Sequence, residues 1–300
     1  MGRSAKAVAT SGAASSLARE EGPAEELPAP RPLLKWVGGK TQLLEQMQPF
    51  LPKTFQRYFE PFVGGAALFF DLRTRRPDMP AFLSDVNAEL VNCYVAVRDD
   101  VESVIRALRC HRYESEYYYE VRAQNPVDLS PPERAARTIF LNKTGYNGLY
   151  RVNRSGQFNV PFGRFTKPLF CDVGNLHACS RALRDVSIEH GDFSGVLELA
   201  KKGDFVYFDP PYVPVSPTSD FTAYIPGGFG AAEQEKLAEV FRRLAKRGVH
   251  VLLSNSDTVE VRRLYAGFEI ERVYASRSVN SNAARRGKLA EVVVRSRKAS

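Results

Sequence analysis

The chain has few metal-binding residue types and no long apolar run. Its four cysteines show no C-x-x-C spacing, and its four histidines are scattered. The sequence therefore predicts neither a zinc site nor a disulfide framework, and we expect no metal and free, buried thiols in a reducing cytoplasm. No apolar stretch approaches the roughly 18 residues of a membrane span, which excludes a membrane-spanning class. The cysteines are Cys93, Cys110, Cys171 and Cys179.

The first thirty residues lack the signals of targeting segments. They are rich in Ala, Ser, Glu and Pro and contain no continuous apolar block that could form the core of a signal peptide. Position 6 is Lys6 rather than Ser or Thr, so the myristoylation pattern also fails. This composition predicts a disordered tail over residues 1–30.

A complete phosphate-binding loop is also absent. Residues 33–41 read LLKWVGGKT, which ends like the pattern G-x-x-x-x-G-K-[ST]. Counted back from Gly39 and Lys40, the first glycine of that pattern would stand at position 34, where the chain has Leu34. A bulky side chain does not suit the tight turn needed there, so a nucleotide hydrolase is disfavoured.

Acidic residues are missing from one long segment in the middle of the chain. Between Glu133 and Asp172 there is none, although the net charge of the whole chain is only +8. A solvated surface usually mixes charges of both signs, so this segment favours contact with a phosphate backbone. Its basic residues are Arg134, Arg137, Lys143, Arg151, Arg154, Arg164 and Lys167, and aromatic residues lie between them.

Three short apolar segments predict buried strands of a parallel sheet. They are AFLSD at 81–85, DFVYFDPPY at 204–212 and VHVLLSN at 249–255, and each ends in polar residues. Helical patterns lie between them, one running from Asn87 through residue 109 and another ending at Gly248. This alternation predicts a doubly wound α/β sheet, in which ligands bind beyond the carboxyl ends of the strands.

The middle of the chain interrupts that alternation. Residues 113–185 begin with a helical pattern and continue as a loop rich in Gly, Asn and Arg. We interpret them as a mainly helical insertion that carries the acid-free segment. The catalytic sheet would then be assembled from residues 31–112 and 186–300.

The strongest chemical signal is Asp209-Pro210-Pro211-Tyr212 at the end of a predicted strand. The two prolines remove backbone donors and fix φ, so they predict a stiff projection that carries one carboxylate and one phenol ring. Such a projection suits chemistry on a planar amino group. The acid and a proline carbonyl would accept hydrogen bonds from the nitrogen, and the tyrosine would stack on the attached ring.

A glycine-containing turn is predicted near the start of the sheet. In YFEPFVGGAALFF, at 58–70, Gly64 and Gly65 precede a helical pattern, and glycines at such a turn allow a cofactor to approach the backbone. Asp85 ends the next predicted strand, where a carboxylate can accept hydrogen bonds from ribose hydroxyls. Its alternative role is to cap the helix that follows.

Taken together, these blocks resemble the Dam family of DNA adenine-N6 methyltransferases. DPPY resembles motif IV, and EPFVGG resembles motif I, although Ala66 replaces the last glycine of that motif. LLKWVGGK, LSDVNAELVNCY, LNKTGYNGLYRVNRSGQFNVPFG, DPPYVPVSPTSDFTAY and LLSNSDT match the family's other blocks in order, with a weaker match in RSVNSNAARRGKLAEVVV. The resemblance implies a Rossmann-like methyltransferase sheet, S-adenosyl-L-methionine as cofactor and double-stranded DNA as partner.

The resemblance also implies roles for individual residues. Arg151 would contact the first guanine of the family's usual GATC site, and Lys40 would approach the methionine carboxylate of the cofactor. The alternative for Asn147 and Gly148 is an ordinary turn. The implied catalytic residues are Asp209, Pro210, Pro211 and Tyr212. The implied cofactor-binding residues are Trp36, Lys40, Phe62, Gly64, Asp85 and Asp209, and the implied DNA-binding residues are Lys35, Tyr146, Asn147, Leu149, Arg151 and Pro161.

Several alternatives remain open at the level of sequence. The chain could methylate protein glutamine or RNA, or it could be a nonenzymatic DNA-binding protein on a methyltransferase scaffold. Cytosine-N4 methylation is disfavoured because the Asp form of the motif resembles the adenine-N6 group. We expect a monomeric bacterial or phage enzyme that acts in the cytoplasm.

Overall fold

The computed structural model of the chain describes residues 28–36, 38–214, 228–276 and 288–296. Most of the predicted N-terminal tail therefore lies outside the described residues, as does the loop SPTSDFTAY that follows the DPPY segment. The first half of RSVNSNAARRGKLAEVVV lies outside them as well.

Within these described residues the sheet has seven strands in the order β3-β2-β1-β4-β5-β7-β6. The first five are parallel, and β7 is antiparallel to both β5 and β6. This confirms the predicted α/β class, and the three apolar segments are β2, β4 and β5. The strands are β1 Tyr58–Glu60, β2 Ala81–Asp85, β3 Ser187–His190, β4 Phe205–Phe208, β5 His250–Ser256, β6 Glu269–Ser276 and β7 Lys288–Arg295.

Helices connect most of the strands and cover both faces of the sheet. In the described residues they are α1 Leu44–Met47, α2 Ala67–Arg75, α3 Ala88–Asp99, α4 Val101–Arg109, α5 Ser115–Ala123, α6 Pro131–Thr144, α7 Val173–Leu183, α8 Val196–Leu199, α9 Ala231–Lys246 and α10 Val259–Leu264. None of these helices is long and apolar enough to cross a membrane.

The pattern of side chains along β4 shows how the sheet builds two apolar cores. Phe205 and Tyr207 belong to the core under α2, α3, α4, α6 and α7, whereas Val206 and Phe208 belong to the core under α8, α9 and α10. Successive side chains of a strand point to opposite faces, so a strand buried on both sides reads as a continuous apolar run. This explains why the run 205–208 predicted a central strand.

The helical pattern that begins at Asn87 forms two helices rather than one. Asp100 lies at the break with φ −149°, and its carboxylate accepts a hydrogen bond from the backbone N–H of Ser103 at 3.1 Å. An aspartate in this position ends one helix and caps the next, because its short side chain bonds to the exposed amides of the first turn. The Asn87 side chain caps α3 by accepting from the amides of Glu89 and Leu90.

The predicted insertion shares its core with the rest of the sheet. Helix α6 packs against α3 and α4, and α7 packs against α2, α3 and α4. Ile139 and Phe140 of α6 belong to the same apolar cluster as Leu83 of β2. No change in the core marks the boundaries near residues 113 and 185, so that division remains a prediction.

Only some of the basic residues in the acid-free segment are exposed, which corrects our interpretation of its charges. Arg134 bonds to the carboxylate of Glu89, with its Nε 2.9 Å from Oε1. Arg137 is buried, and its guanidinium donates to the backbone carbonyls of Val121 and Arg122. Lys143 is half-buried, and desolvation lowers its pKa. These three cations lie on α6, which the core surrounds, whereas Arg151, Arg154, Arg164 and Lys167 are exposed.

Candidate active site

The sheet brings three acidic residues to one edge. Asp209 directly follows β4, Glu60 ends β1, and Asp85 ends β2. Strand order reverses between β1 and β4, because the chain proceeds outward to β2 and β3 on one side and to β5 on the other. The carboxyl ends of strands at such a switch point form the crevice in which α/β sheets bind ligands.

Lys40 and Asp209 form an ion pair in this crevice. The Lys40 Nζ lies 2.9 Å from Oδ1 of Asp209, and it also donates to the Gly38 carbonyl at 2.6 Å. The Lys40 side chain is only 3% exposed. Burial raises the pKa of Asp209, and the positive charge of Lys40 opposes that rise. The ion pair thus joins two residues that are far apart in the sequence, Lys40 before β1 and Asp209 after β4.

The backbone on both sides of Tyr212 is held by two buried amide side chains. Gln234 of α9 donates from Nε2 to the Pro211 carbonyl at 2.9 Å. Asn255 of β5 accepts from the Val213 N–H at 3.0 Å, and its Nδ2 donates to Oε1 of Gln234 at 3.1 Å. Asn255 is completely buried and Gln234 is 2% exposed. We call these three hydrogen bonds of Gln234 and Asn255 the bracket. They restrain the DPPY segment in addition to its two prolines.

The ring of Tyr212 is held at its hydroxyl and covered on one side. The hydroxyl donates to Oε2 of Glu291 at 2.8 Å, and Glu291 lies in β7, opposite Ser256 of β5. The Lys40 Nζ lies 4.7 Å from the centroid of the ring, a distance at which a cation is attracted to an aromatic face. The orientation of the ring is therefore determined by side chains from two other segments.

Glu60 adds an unusual acid to the same crevice. It is 3% exposed, and burial raises its pKa to about 8, while the hydrogen bond that it accepts from the Tyr58 hydroxyl at 2.9 Å opposes the rise. The neighbouring charge of Asp209 raises the pKa further, and Lys40 lowers it. Strongly perturbed acids in a crevice are typical of functional sites.

The glycine turn after β1 lies against Trp36. Gly64 has φ +44°, and a Cβ at this position would lie only 2.9 Å from Cδ1 of Trp36. The Gly64 N–H donates to Oδ2 of Asp85 at 3.3 Å, and its carbonyl accepts from the Tyr94 hydroxyl at 2.7 Å. The structure thus brings Trp36, Gly64 and Asp85 together, as the prediction of one cofactor site requires.

Asp85 does not cap the following helix, because Asn87 does so. The Asp85 carboxylate instead accepts from the N–H groups of Gly64 and Asn87. Burial raises its pKa to about 6, and these two hydrogen bonds limit the rise.

Phe62 lies on the other side of the crevice in an aromatic cluster. Its ring centroid is 5.2 Å from that of Phe193, 5.6 Å from that of Phe229 and 6.3 Å from that of Phe208. Phe208 directly precedes Asp209, so Phe62 packs against the residue that leads into the DPPY segment. An apolar wall of this kind is typical of pockets for planar ligands.

The DNA-facing residues predicted in the insertion are also brought together. The Tyr146 N–H donates to the Pro161 carbonyl at 2.9 Å, and both residues are exposed, with Tyr146 53% accessible. Asn147 and Gly148 have φ +54° and +64°, so the alternative of a tight turn describes their backbone correctly. Leu149 follows this turn and is half-buried. A turn can nevertheless present Tyr146 and Asn147 to a ligand.

Arg151 and Lys35 lie on either side of that turn. Arg151 is exposed, and its Nε donates to Oδ1 of Asn159 at 2.7 Å, which orients the guanidinium. The Lys35 side chain lies against Gly148, where any Cβ would collide with it. Its Nζ is 4.5 Å from the centroid of the Phe165 ring.

The four cysteines differ in their exposure. All four cysteines are free, Cys93 and Cys179 are buried, and Cys110 is exposed, which is contrary to our expectation of buried thiols. Over the part of the chain that the structure describes, no three His, Cys, Asp or Glu side chains group as a metal site would require.

Comparison with known proteins decides which family has this arrangement. The family model described as "D12 class N6 adenine-specific DNA methyltransferase" matches residues 36–279. The chain belongs to the D12 class of adenine-specific DNA methyltransferases. It is therefore a DNA adenine-N6 methyltransferase, and the crevice at the carboxyl edge is its candidate active site.

Curated relatives of this D12 methyltransferase match along nearly their whole length. Type II methyltransferase M1.LlaDCHI of Lactococcus lactis subsp. cremoris is 42% identical over 88% of this chain and 94% of its own. Type II methyltransferase M.MjaIII of Methanocaldococcus jannaschii is 44% identical over 83% and 93%. The DNA adenine methylase of Escherichia coli K12 is 35% identical over 88% and 94%.

Solved structures resemble this methyltransferase only distantly. The precorrin-6y C5,15-methyltransferase of Geobacter metallireducens covers 86% of this chain and 87% of its own at 9% identity, with a TM-score of 0.36. The fold therefore rests on the strand order and on the family match.

Sequence reasoning missed several residues that build this site. The sequence did not predict Glu60, Gln234, Asn255 or Glu291. It also did not predict Asn142, which forms hydrogen bonds to the backbone of Lys35 and Gly148. Three of them are polar residues inside apolar stretches, namely Glu60 in YFEPFV, Asn142 in IFLNK and Glu291 in LAEVVV, whereas Gln234 lies between two glutamates and Asn255 between two serines. That signal was present, but the sequence does not reveal which groups these side chains contact.

Proposed function

We propose that this methyltransferase transfers a methyl group from S-adenosyl-L-methionine to N6 of adenine in duplex DNA, in the sequence GATC, after rotating the base out of the helix. The observation that carries the proposal is the arrangement of Asp209, Tyr212 and Lys40 at the switch point of the sheet. It places an acid beside an aromatic ring whose position is fixed by neighbouring side chains.

The residues of the crevice fit this cofactor. Asp85 offers a carboxylate for ribose hydroxyls beside the Gly64 turn, and Lys40 offers an ammonium group for a carboxylate. When bound, S-adenosyl-L-methionine supplies a methyl group already activated by a sulfonium centre.

Asp209 and Tyr212 would hold the target base. The Asp209 carboxylate and the Pro210 carbonyl accept from the exocyclic amino group and direct the nitrogen lone pair, while the Tyr212 ring stacks on the adenine. Base extrusion costs a few kcal/mol, and only an extruded base exposes its amino group inside a crevice of this depth. Correct positioning supplies much of the rate acceleration in such a transfer.

The proposed GATC specificity rests on the DNA-facing turn and on Arg151. An exposed guanidinium that is oriented by Asn159 suits bidentate contact with O6 and N7 of guanine, which discriminates by about 1–3 kcal/mol. The DNA adenine methylase of Escherichia coli K12 carries that name at 35% identity, which supports DNA as substrate.

In the decisive experiment, the full chain is expressed in a host that lacks adenine methylation. The modified adenines in the host DNA are then mapped by sequencing. We expect N6-methyladenine in GATC, and we expect Asp209→Ala to reduce transfer by about 10²-fold or more, because it removes the acceptor that orients the nitrogen. Asp99→Asn is the control, since Asp99 pairs with Arg98 away from the crevice and should retain activity.

Three results would contradict the proposal. Near-normal methyl transfer by Asp209→Ala would show that the Asp209 carboxylate does not have the proposed role. Label from S-adenosyl-L-methionine found in RNA or protein, but not in duplex DNA, would support another substrate class. Methylated adenines in a site other than GATC would overturn the specificity alone.

A further inference from the structure

The side chain of Asn142 connects residues 35–36, which we call the cofactor segment, to the DNA-facing turn at residues 146–149. It does so through three hydrogen bonds. Its Oδ1 accepts from the Lys35 N–H at 2.7 Å, and its Nδ2 donates to the Lys35 carbonyl and to the Gly148 carbonyl, both at 2.9 Å. The residue is completely buried near the end of α6. Buried amides that satisfy every donor and acceptor hold their partners rigidly, because an unmade bond in such a place is costly.

The first of the two segments that Asn142 holds carries both predicted roles, because Lys35 is a predicted DNA contact and its neighbour Trp36 is a predicted cofactor contact. Lys35 precedes Trp36, which packs against Gly64 of the cofactor turn. Gly148 lies between Asn147 and Leu149 in the DNA-facing turn, and the Lys35 side chain lies against it. Displacement of one segment would therefore be transmitted to the other through a single side chain.

An aromatic contact joins the same two regions independently. The ring centroids of Trp36 and Tyr150 are 5.2 Å apart, and Tyr150 directly follows Leu149. The Tyr150 hydroxyl donates to Oδ1 of Asn87 at 3.4 Å, and the backbone N–H of Asn87 donates to the carboxylate of Asp85. A second chain of contacts thus runs from the DNA-facing turn to the carboxylate proposed for the ribose.

We propose that Asn142 is a positioning residue that couples the binding of cofactor to the binding of specific DNA, by fixing Lys35 and Trp36 to the turn at residues 146–149. This inference rests on the proposed function of the two regions. Cofactor that orders Trp36 would also order the turn, so DNA would bind more tightly to the cofactor-bound enzyme. Coupling between two sites typically amounts to about 5- to 150-fold in affinity and is reciprocal.

The test measures the dissociation constant of a labelled GATC duplex by fluorescence anisotropy, with and without saturating S-adenosylhomocysteine. We expect the cofactor product to tighten DNA binding by the wild-type chain by about fivefold or more. We expect Asn142→Ala to reduce that factor below about twofold. Asn142→Asp retains the acceptor for Lys35 but loses amide donors, so it should also lower the factor and serves as a second variant of nearly equal size.

Asn175→Ala is the matched control. Asn175 is another buried asparagine that holds the N-terminal segment, since it accepts from the Arg31 N–H at 2.9 Å and donates to the Arg31 carbonyl at 3.1 Å. It has no hydrogen bond to the DNA-facing turn among the described residues. Its variant should lose stability but keep the wild-type coupling factor.

The outcomes separate this inference from the proposed function. Folded Asn142 variants that keep the wild-type factor would overturn the inference, as would an equal loss in Asn175→Ala. A wild-type chain that binds duplex and S-adenosylhomocysteine without any coupling would also overturn it, yet leave the proposed function standing. A wild-type chain that binds neither ligand would instead contradict the proposed function itself.

Discussion

At the scale of single residues, burial changes what the carboxyl groups of the active site can do. Glu60, Asp85 and Asp209 all lie at the carboxyl edge of the sheet, and desolvation raises the pKa of each. The neighbouring groups that oppose this rise in pKa differ from one acid to the next. Lys40 opposes the rise at Asp209, whereas backbone amides oppose it at Asp85, so a different kind of partner limits the rise at each of these two acids.

Asp85 predicts a pH dependence of cofactor binding. Its pKa is raised to about 6, so the group takes up a proton as the pH falls through that value. The carboxylate is the form that accepts from two hydroxyls, so binding requires the proton to be released. Protonation of Asp85 should therefore lower the affinity by up to tenfold per pH unit below about pH 6.

Calorimetry with S-adenosylhomocysteine between pH 5 and 8 checks this dependence. Asp85→Asn should bind more weakly and should lose the acidic decline, because its amide does not titrate. Asp99→Asn, outside the crevice, should keep the wild-type profile. An unchanged decline in Asp85→Asn would assign the titration to another acid of the site.

At the scale of elements, three separate segments hold Tyr212 and the backbone on either side of it. Helix α9 supplies Gln234, β5 supplies Asn255 and β7 supplies Glu291. Because β7 is antiparallel to β5, Glu291 lies opposite the end of β5 and reaches the Tyr212 hydroxyl. The position of Tyr212 thus depends on how the last strands of the sheet pair.

Removal of Asn255 should therefore affect the chemical step more than binding. Asn255→Ala leaves the Val213 N–H and the Gln234 amide without their partner, and we expect kcat to fall by about tenfold or more while the KM for cofactor changes by less than about threefold. A duplex with 2-aminopurine at the target position should also show weaker stacking of the extruded base on Tyr212.

The matched control for Asn255→Ala is Ser254→Ala. Ser254 is the adjacent buried residue of β5, and among the described residues its hydroxyl bonds to that of Tyr207 at 3.0 Å rather than to the DPPY segment. Both variants should lose stability, but only Asn255→Ala should lose kcat. Equal losses of kcat would mean that general loosening of β5, rather than the bracket, affects catalysis.

At the scale of the whole molecule, the distribution of charge determines which cations remain available to DNA. Of the seven basic residues in the acid-free segment, the three on α6 are turned to internal partners or half-buried, and the four that follow it are exposed. The exposed group, Arg151, Arg154, Arg164 and Lys167, follows in the sequence the turn that the proposed function assigns to DNA.

The salt dependence of DNA binding should distinguish exposed cations that contact phosphates from those that contact bases. Arg154→Ala should weaken binding to all duplexes alike and reduce the salt slope of the binding constant by about 1, because it removes one phosphate contact. Arg151→Ala should instead cost about 1–3 kcal/mol of discrimination at the guanine. Anisotropy titrations at several salt concentrations, with GATC and a duplex altered at its first base, distinguish the two.

The opposite pattern would contradict the assignment. If Arg151→Ala weakened both duplexes equally and kept the discrimination, Arg151 would be a phosphate contact. The Arg137→Lys variant should unfold more easily without altering the salt slope, because the Arg137 guanidinium serves backbone carbonyls in the interior.

Much of the fold and part of the site follow from the sequence alone. The runs in β2, β4 and β5 predicted central strands because a strand buried on both faces is apolar at every position. The segment from Asp209 to Tyr212 predicted a rigid acid and ring because two adjacent prolines restrict the backbone locally. These properties depend on neighbouring residues, so they can be deduced without knowledge of distant contacts.

Only the tertiary structure decided which polar and charged residues become partners. Asn142 holds Lys35, Asn255 holds Val213, and Glu291 holds Tyr212, and each pair is separated by 42 to 107 positions in the chain. Whether an arginine faces DNA or the interior likewise depends on which face of α6 the core covers. The sequence determined the local chemistry, and long-range packing decided where that chemistry acts, because burial and pairing belong to the assembled sheet.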